Sequence, residues 1–278
     1  MFARACFLQA FAMALEFTRP CPPLGPIKAK ARAHSQRLID DRNVTKYTVH
    51  GLFGIFAQGD ARAGTRRKHY VNYEDVKVDF MHAHACRLGR SMRAPTVCEV
   101  GFNAGLSALL LLESLPHARV LSFDLGDAAW ARAADALLRK QYGAARFPGV
   151  VFGDAKRRIP AHAAVRPFEC DVVFVDGDKS YVGRYGTLVA LRRVSRVNAT
   201  VFMDEVTTEA CVNGTYVPAS PNHERQCAGK NRGYWPSVRA YTRACHEGWL
   251  RVQRCAWPPR HRHDGICLGT FAHDDAPV

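Results

Sequence analysis

From residue 95 onward the chain alternates short apolar runs with longer stretches of helical spacing. The runs are "PTVCEV", "ARVLSFD", "GVVFGD", "CDVVFVD" and "NATVFMD", and between them lie "AGLSALLLLESL", "AAWARAADALLRKQY" and "YGTLVALRRV". Runs that are apolar almost throughout fit strands buried on both faces. Strand alternating with helix predicts an α/β fold, a doubly wound and mostly parallel sheet. The pattern changes near the end, where "WLRVQRCAW" and "GICLGTFA" flank the turn-like "PPRHRHD". That arrangement predicts a C-terminal antiparallel hairpin closing the sheet.

Upstream, "YEDVKVDFMHAHACRLGR" (73–90) has helical spacing through Val76, Phe80, Met81 and Ala85. Pro20, Pro22, Pro23 and Pro26 predict an extended linker over 18–30. The expected organisation is a basic N-terminal extension or targeting segment over 1–40, a helical cap over 41–94 and the α/β domain over 95–272. The connection 206–233, rich in Asn, Pro and Gly, has the length of a lid over a site.

The length of 278 residues allows one large domain with extensions, and a hydrophobic fraction of 47% argues against wholesale disorder. Charge adds a constraint. Thirty-nine basic against 25 acidic residues give +14, a surface suited to anionic partners. No compact Lys/Arg run interleaved with aromatics appears, so nucleic acid stays open as a partner without being favoured. The apolar start, broken by Glu16, is too short and polar to span a bilayer. With Arg4, Arg19, Lys28, Lys30 and Arg32 it fits an organelle-targeting segment or a basic tail. A soluble body, cytoplasmic or organellar, is expected, and nothing in the sequence speaks to its oligomeric state. Cys86, Cys98 and Cys170 sit in apolar segments and read as buried thiols, while Cys211, Cys227, Cys245, Cys255 and Cys267 crowd the last quarter, where disulfides would form in an oxidising lumen.

The candidate chemistry lies at the strand ends. Glu99 falls inside the first strand, whereas Asp124, Asp154, Asp176 and Asp204 each come at or just after the end of one. In a parallel sheet the carboxyl ends share one edge, where ligands bind. The first turn is Gly101-Phe-Asn-Ala-Gly105, which is not the G-x-G-x-x-G of dinucleotide binding. The Tyr-x-x-x-Lys pair of a short-chain dehydrogenase occurs only as Tyr73 to Lys77, upstream of the glycines. Glycines and acids without a phosphate seat suit a positively charged cofactor bearing a ribose.

"VCEVGFNAGLSALLLL" resembles motif I of the class I, seven-stranded S-adenosylmethionine-dependent methyltransferases. "VLSFDLGD", "VVFGDA", "CDVVFVDGDKSY" and "ATVFMDEV" follow in that family's order. The resemblance implies a Rossmann-like methyltransferase fold over about 95–272 and S-adenosylmethionine as cofactor. Glu99, Gly101, Asn103 and Gly105 would line its methionine and ribose side. Asp124 would accept the ribose hydroxyls, Asp154 would contact the adenine amino group, and Asp176 would border the site. Asp176-Gly-Asp-Lys179 also resembles the D-x-x-K of the catechol and caffeoyl-CoA type O-methyltransferases. There the Asp binds a metal and the Lys, here the catalytic candidate Lys179, sits beside the accepting hydroxyl. That family ends its fifth strand in Asp-Asn, where this chain has Asp204-Glu205. The metal candidates are therefore Asp176, Asp204 and Glu205, with Mg²⁺ or another divalent cation suited to oxygen ligands. "DGDKSY" is equally similar to a methyltransferase group that need not bind metal, so both readings stand at this point.

The expected function is methyl transfer from S-adenosylmethionine to a hydroxyl of a small-molecule acceptor. The alternatives are an RNA or protein methyltransferase and a catalytically silent binding module of the same fold. Trp235, Trp249 and Trp257 are expected to pack rather than to form an acceptor pocket, and His82 and His84, two apart on a helix, point in different directions.

Overall fold

The computed structural model describes residues 20–42, 67–128, 130–206, 235–257 and 265–272. Two helices, α1 (Leu24–Arg42) and α2 (Arg67–Ser91), precede an alternating series: β1 (Thr96–Val100), α3 (Leu106–Ser114), β2 (Arg119–Asp124), α4 (Ala131–Arg146), β3 (Val150–Phe152), α5 (Ala155–Val165), β4 (Cys170–Val175), α6 (Tyr181–Arg193) and β5 (Ser195–Val206). Then come α7 (Trp235–His246), β6 (Leu250–Ala256) and β7 (Gly265–Phe271). The strands form one seven-stranded sheet in the order β3-β2-β1-β4-β5-β7-β6. Pairing is parallel from β3 through β5, and β7 runs antiparallel to both β5 and β6. The predicted doubly wound sheet and closing hairpin are both present, with β7 inserted between β5 and β6.

Strand alternation sorts the core into two faces. Val97, Val172 and Phe202 face α1 to α4, while their neighbours Cys98, Val173 and Met203 face α5, α6 and α7. Both faces are covered, which is why the strands read as near-continuous apolar text.

The linker expected over 18–30 is helical from Leu24 onward. Helix α1 begins at Leu24 and buries Ile27, Ala31 and Leu38, spaced on one helical face. Pro26 lies in its first turn, where the missing N–H has no intrahelical partner to lose. Buried His34 completes the docking, with Nε2 2.9 Å from the Ala104 carbonyl. Part of the N-terminal segment therefore belongs to the core rather than to a free extension.

Cys98 and Cys170 are not thiols as the apolar context predicted. They form a disulfide joining β1 to β4, and Cys255–Cys267 bridges directly opposed residues of β6 and β7. Composition cannot separate a buried thiol from half of a buried disulfide, because both are apolar. Cys86 does remain a buried free cysteine. Trp249 packs at 6% exposure against Tyr185 and Phe271, as core. His82 hydrogen-bonds the Ser114 hydroxyl (2.8 Å) while the His84 ring packs on Phe80, so the two histidines serve separate contacts. The connection 207–234 and the turn 258–264 lie outside the described residues, and with them the expected lid. Among the described residues no helix is long and apolar enough to cross a membrane.

Candidate functional site

The carboxyl ends of β1, β2, β3 and β4 meet at one edge around a cavity of about 610 Å³, within the usual range for small-molecule sites. Its lining includes Gly101, Asn103, Asp124, Trp130, Asp154, Asp176 and Lys179. Six of the residues predicted from the sequence therefore share one wall system, although they span almost eighty positions of chain.

The glycine turn is shaped first by protein and only then by any ligand. Gly101 has φ 99°, and a Cβ there would lie 2.4 Å from the Asp176 carbonyl oxygen. The ends of β1 and β4 thus touch backbone to backbone, which only glycine permits. Gly105 (φ 75°) is displaced from its expected role. It does not line the cavity, and a Cβ there would meet the Phe102 ring at 2.7 Å, so it lets α3 begin against packed aromatic surface.

Glu99 also departs from expectation. It is 0% exposed and lies outside the cavity wall. Its carboxylate accepts hydrogen bonds from the hydroxyls of Ser107, on α3, and Ser122, on β2 (2.5 Å for the latter). Burial pushes its carboxyl up to about 7, against the two hydroxyls that hold it down. The acid inside the strand is a tie between β1, β2 and α3 beneath the glycine turn, not a lining group.

Asp124 and Asn103 form the most developed part of the wall. Asn103 adopts φ 50°, a left-handed conformation that Asn tolerates, and its N–H donates to Asp124 Oδ2 at 2.9 Å. The Gly126 N–H donates to Oδ1 at 2.7 Å, and Trp130 Nε1–H donates to the Asn103 side-chain oxygen at 2.6 Å. An ionised carboxylate has about four lone-pair sites, so two remain for hydroxyl donors. Asp154 caps α5 by accepting the Lys156 N–H (3.0 Å), and the Lys156 ammonium lies 3.6 Å from its other oxygen. It is at once a helix cap and a cavity residue.

At the other end of the cavity the acids of β4 and β5 meet three cations. Lys77, from α2, places its ammonium 2.6 Å from Asp204 Oδ1, with both side chains 7% exposed. Lys179 pairs with Glu205 and lies 3.7 Å from Asp176 Oδ1. Arg184, fully buried on α6, contacts Glu205 at 3.1 Å and donates to the Val175 carbonyl and to the Tyr241 hydroxyl (2.8 and 3.0 Å). Tyr241 in turn donates to the Asp204 carbonyl (3.1 Å), and Ser237 to that of Lys179 (3.1 Å), so α7 holds both strand ends. Glu205 has φ 61° at a register shift between Asp204 and Val206, a bulge that re-aims its side chain toward α6. Burial and the neighbouring Asp204 push Asp176 upward from the ordinary carboxylate range. Burial alone would lower Lys179, but Asp176 and Glu205 outweigh it and hold the side chain as an ammonium.

These residues do not fit the predicted divalent cation. Such an ion takes oxygen ligands carrying unbalanced negative charge, whereas Asp204 and Glu205 are each already paired to a basic side chain. Among the described residues no three His, Cys, Asp or Glu side chains are grouped to hold a metal. The acidic spacing in the sequence is real, but two of the three cations that answer it come from helices. Lys77 and Arg184 carried a signal that strand reading passes over. Each occupies a buried helical stripe, with Met81 and Ala85 following Lys77 and with Leu188 and Leu191 following Arg184.

A family model described as a methyltransferase domain matches residues 98–206. No curated protein gives a significant match to the chain. Among solved structures, the chain is similar to a putative O-methyltransferase from Klebsiella pneumoniae, at 17% identity and TM-score 0.53, over 92% of this chain and 93% of that one. It is similar to an O-methyltransferase from Bacillus cereus in complex with SAH, at 15% identity and TM-score 0.53, over 88% and 99% of the two chains. The O-methyltransferase TomG from Streptomyces achromogenes, in complex with SAM, is 20% identical with TM-score 0.50, over 69% and 80%. At these identities the likeness concerns the fold.

Proposed function

We propose that the chain, whose residues 98–206 match a methyltransferase domain, is a class I, S-adenosylmethionine-dependent methyltransferase that methylates a hydroxyl oxygen of a small-molecule acceptor presented at the Asp176–Lys179 end of the cavity. One observation carries this reading. The wall bearing Gly101, Asn103, Asp124 and Asp154 runs without interruption into Asp176 and Lys179.

When bound, the cofactor would supply an electrophilic methyl group on a sulfonium, which an acceptor oxygen would take as the S–C bond breaks and the sulfur leaves as a neutral thioether. The protein's share is to seat it and to prepare that oxygen. Asp124, with two backbone N–H donors fixing its carboxylate, would take the ribose hydroxyls, and Asp154 would face the base. An alcohol or phenol is a poor nucleophile while protonated, a phenol titrating near pH 10 as tyrosine does. The proton of the acceptor hydroxyl would pass to the Asp176 carboxylate. Lys179, held as an ammonium, assists by charge, stabilising the developing oxyanion rather than acting as the base.

Calorimetric titration with S-adenosylmethionine and its demethylated product tests the cofactor half. Asp124→Asn should weaken binding roughly ten- to hundredfold, the worth of hydrogen bonds to a charged group. The acceptor half is read by release of demethylated cofactor across a panel of phenols and alcohols, where Lys179→Met should lower kcat and Lys179→Arg should retain part of it. Absence of cofactor binding in the wild type would favour a silent module and end the proposal.

A further inference from the structure

The carboxylates at the ends of β4 and β5 face an equal number of cations: Asp176, Asp204 and Glu205 against Lys77, Lys179 and Arg184. We propose that this chain supplies its own cation where the resemblance to the catechol and caffeoyl-CoA enzymes implies a metal, with Lys77 of α2 occupying the position on Asp204. The proposal rests on the site reading above only for its location.

Three features carry it. The Lys77–Asp204 contact is short and nearly dry, 2.6 Å with both side chains 7% exposed. Asp204 Oδ1 has no aligned hydrogen bond, so the contact is one of charge, which suits a compact ammonium acting as a point charge. Finally, a dication arriving at this cluster would either add two positive charges to a balanced site or expel Lys77 into apolar surroundings beside Val78 and Met81. Both are costly, since a buried charge stripped of its partner is among the most destabilising changes a core can suffer. Lys77 does not line the cavity. It is a positioning residue, holding the Asp204 side chain in place behind Asp176 and Lys179.

Mn²⁺, added alone to the cofactor-free full chain and followed by electron paramagnetic resonance, is the probe. The wild type should show no stoichiometric site, and its affinity for demethylated cofactor should be the same with EDTA as with Mg²⁺. Lys77→Met leaves three carboxylates against two cations and should gain a Mn²⁺ site with a dissociation constant near or below about 10⁻⁴ M. That gain should disappear in Lys77→Met/Asp204→Asn, which a merely structural lysine would not produce. Should Lys77→Met fail to fold, Lys77→Gln, which keeps a polar tip, replaces it in the same titrations. A stoichiometric Mn²⁺ site in the wild type that Asp204→Asn abolishes would overturn the proposal. So would a folded charge-removed variant that gains no Mn²⁺ affinity. Because cofactor is absent from the Mn²⁺ titrations, their outcome is separable from failure of the methyltransfer reading.

Discussion

Replacing Glu99 by glutamine isolates the cost of an acid buried in a central strand. The side chain is 0% exposed and its carboxyl is pushed from 4.5 to about 7, with burial the largest cause. A raised acid binds its proton more tightly folded than unfolded, so its contribution to stability is present below about pH 4.5 and lost as pH rises through about 7. The shift of about 2.5 corresponds to roughly 3 kcal/mol at 1.36 kcal/mol per pH unit. Glutamine keeps the shape and one acceptor for Ser107 and Ser122, whose hydroxyls can rotate to receive an amide N–H. The assay is urea denaturation of wild type and Glu99→Gln from pH 4.5 to 8, comparing only their difference so that titrations shared by both cancel. The two should converge near pH 4.5, and at pH 8 the variant should be the more stable by roughly 3 kcal/mol, or about 6–12 °C in Tm for a domain of this size. A difference that stays flat across this range, or a variant less stable at pH 8, refutes the reasoning and would mean that the serine hydroxyls fully compensate the buried charge.

Arg184→Met removes the guanidinium that joins Val175, Tyr241 and Glu205. It should cost about 3–5 kcal/mol in urea melts, the usual range for breaking a buried pair. Glu205→Gln added to it should recover part of that loss, and a single-variant loss below about 1 kcal/mol would deny the clasp. Gly101→Ala forces a side chain onto the Asp176 carbonyl at φ 99°. It should destabilise by more than about 1 kcal/mol and weaken binding of demethylated cofactor; a calorimetric affinity equal to wild type would show that β1 and β4 can part without disturbing the cavity.

The sheet, its parallel core and its closing hairpin were legible because burial on both faces imposes continuous apolar runs, a local signal that survives in one dimension. So was the edge bearing Asp124, Asp154 and Asp176, since parallel winding sends every strand end to the same side. Local text also explains the errors. Pro26 looks the same in a linker as in the first turn of α1, and Cys98 carries no mark of its partner Cys170, 72 residues away. Nor does the text around Gly101 show that what its missing side chain makes room for is the backbone of Asp176.

What the sequence by itself determined was which groups the strands deliver: glycines, the acid that ends the second strand and a trio of carboxylates at one edge. Only the tertiary structure decided what stands opposite them. Glu99 is withdrawn beneath the turn by Ser107 and Ser122, and the acids of β4 and β5 are matched by Lys77 and Arg184 from helices far apart in the chain. The reason is physical. Strand and helix periods are set by neighbours in sequence, whereas the charge that balances a buried carboxylate is set by whichever side chain packing brings within a few ångströms, and no local period encodes that distance.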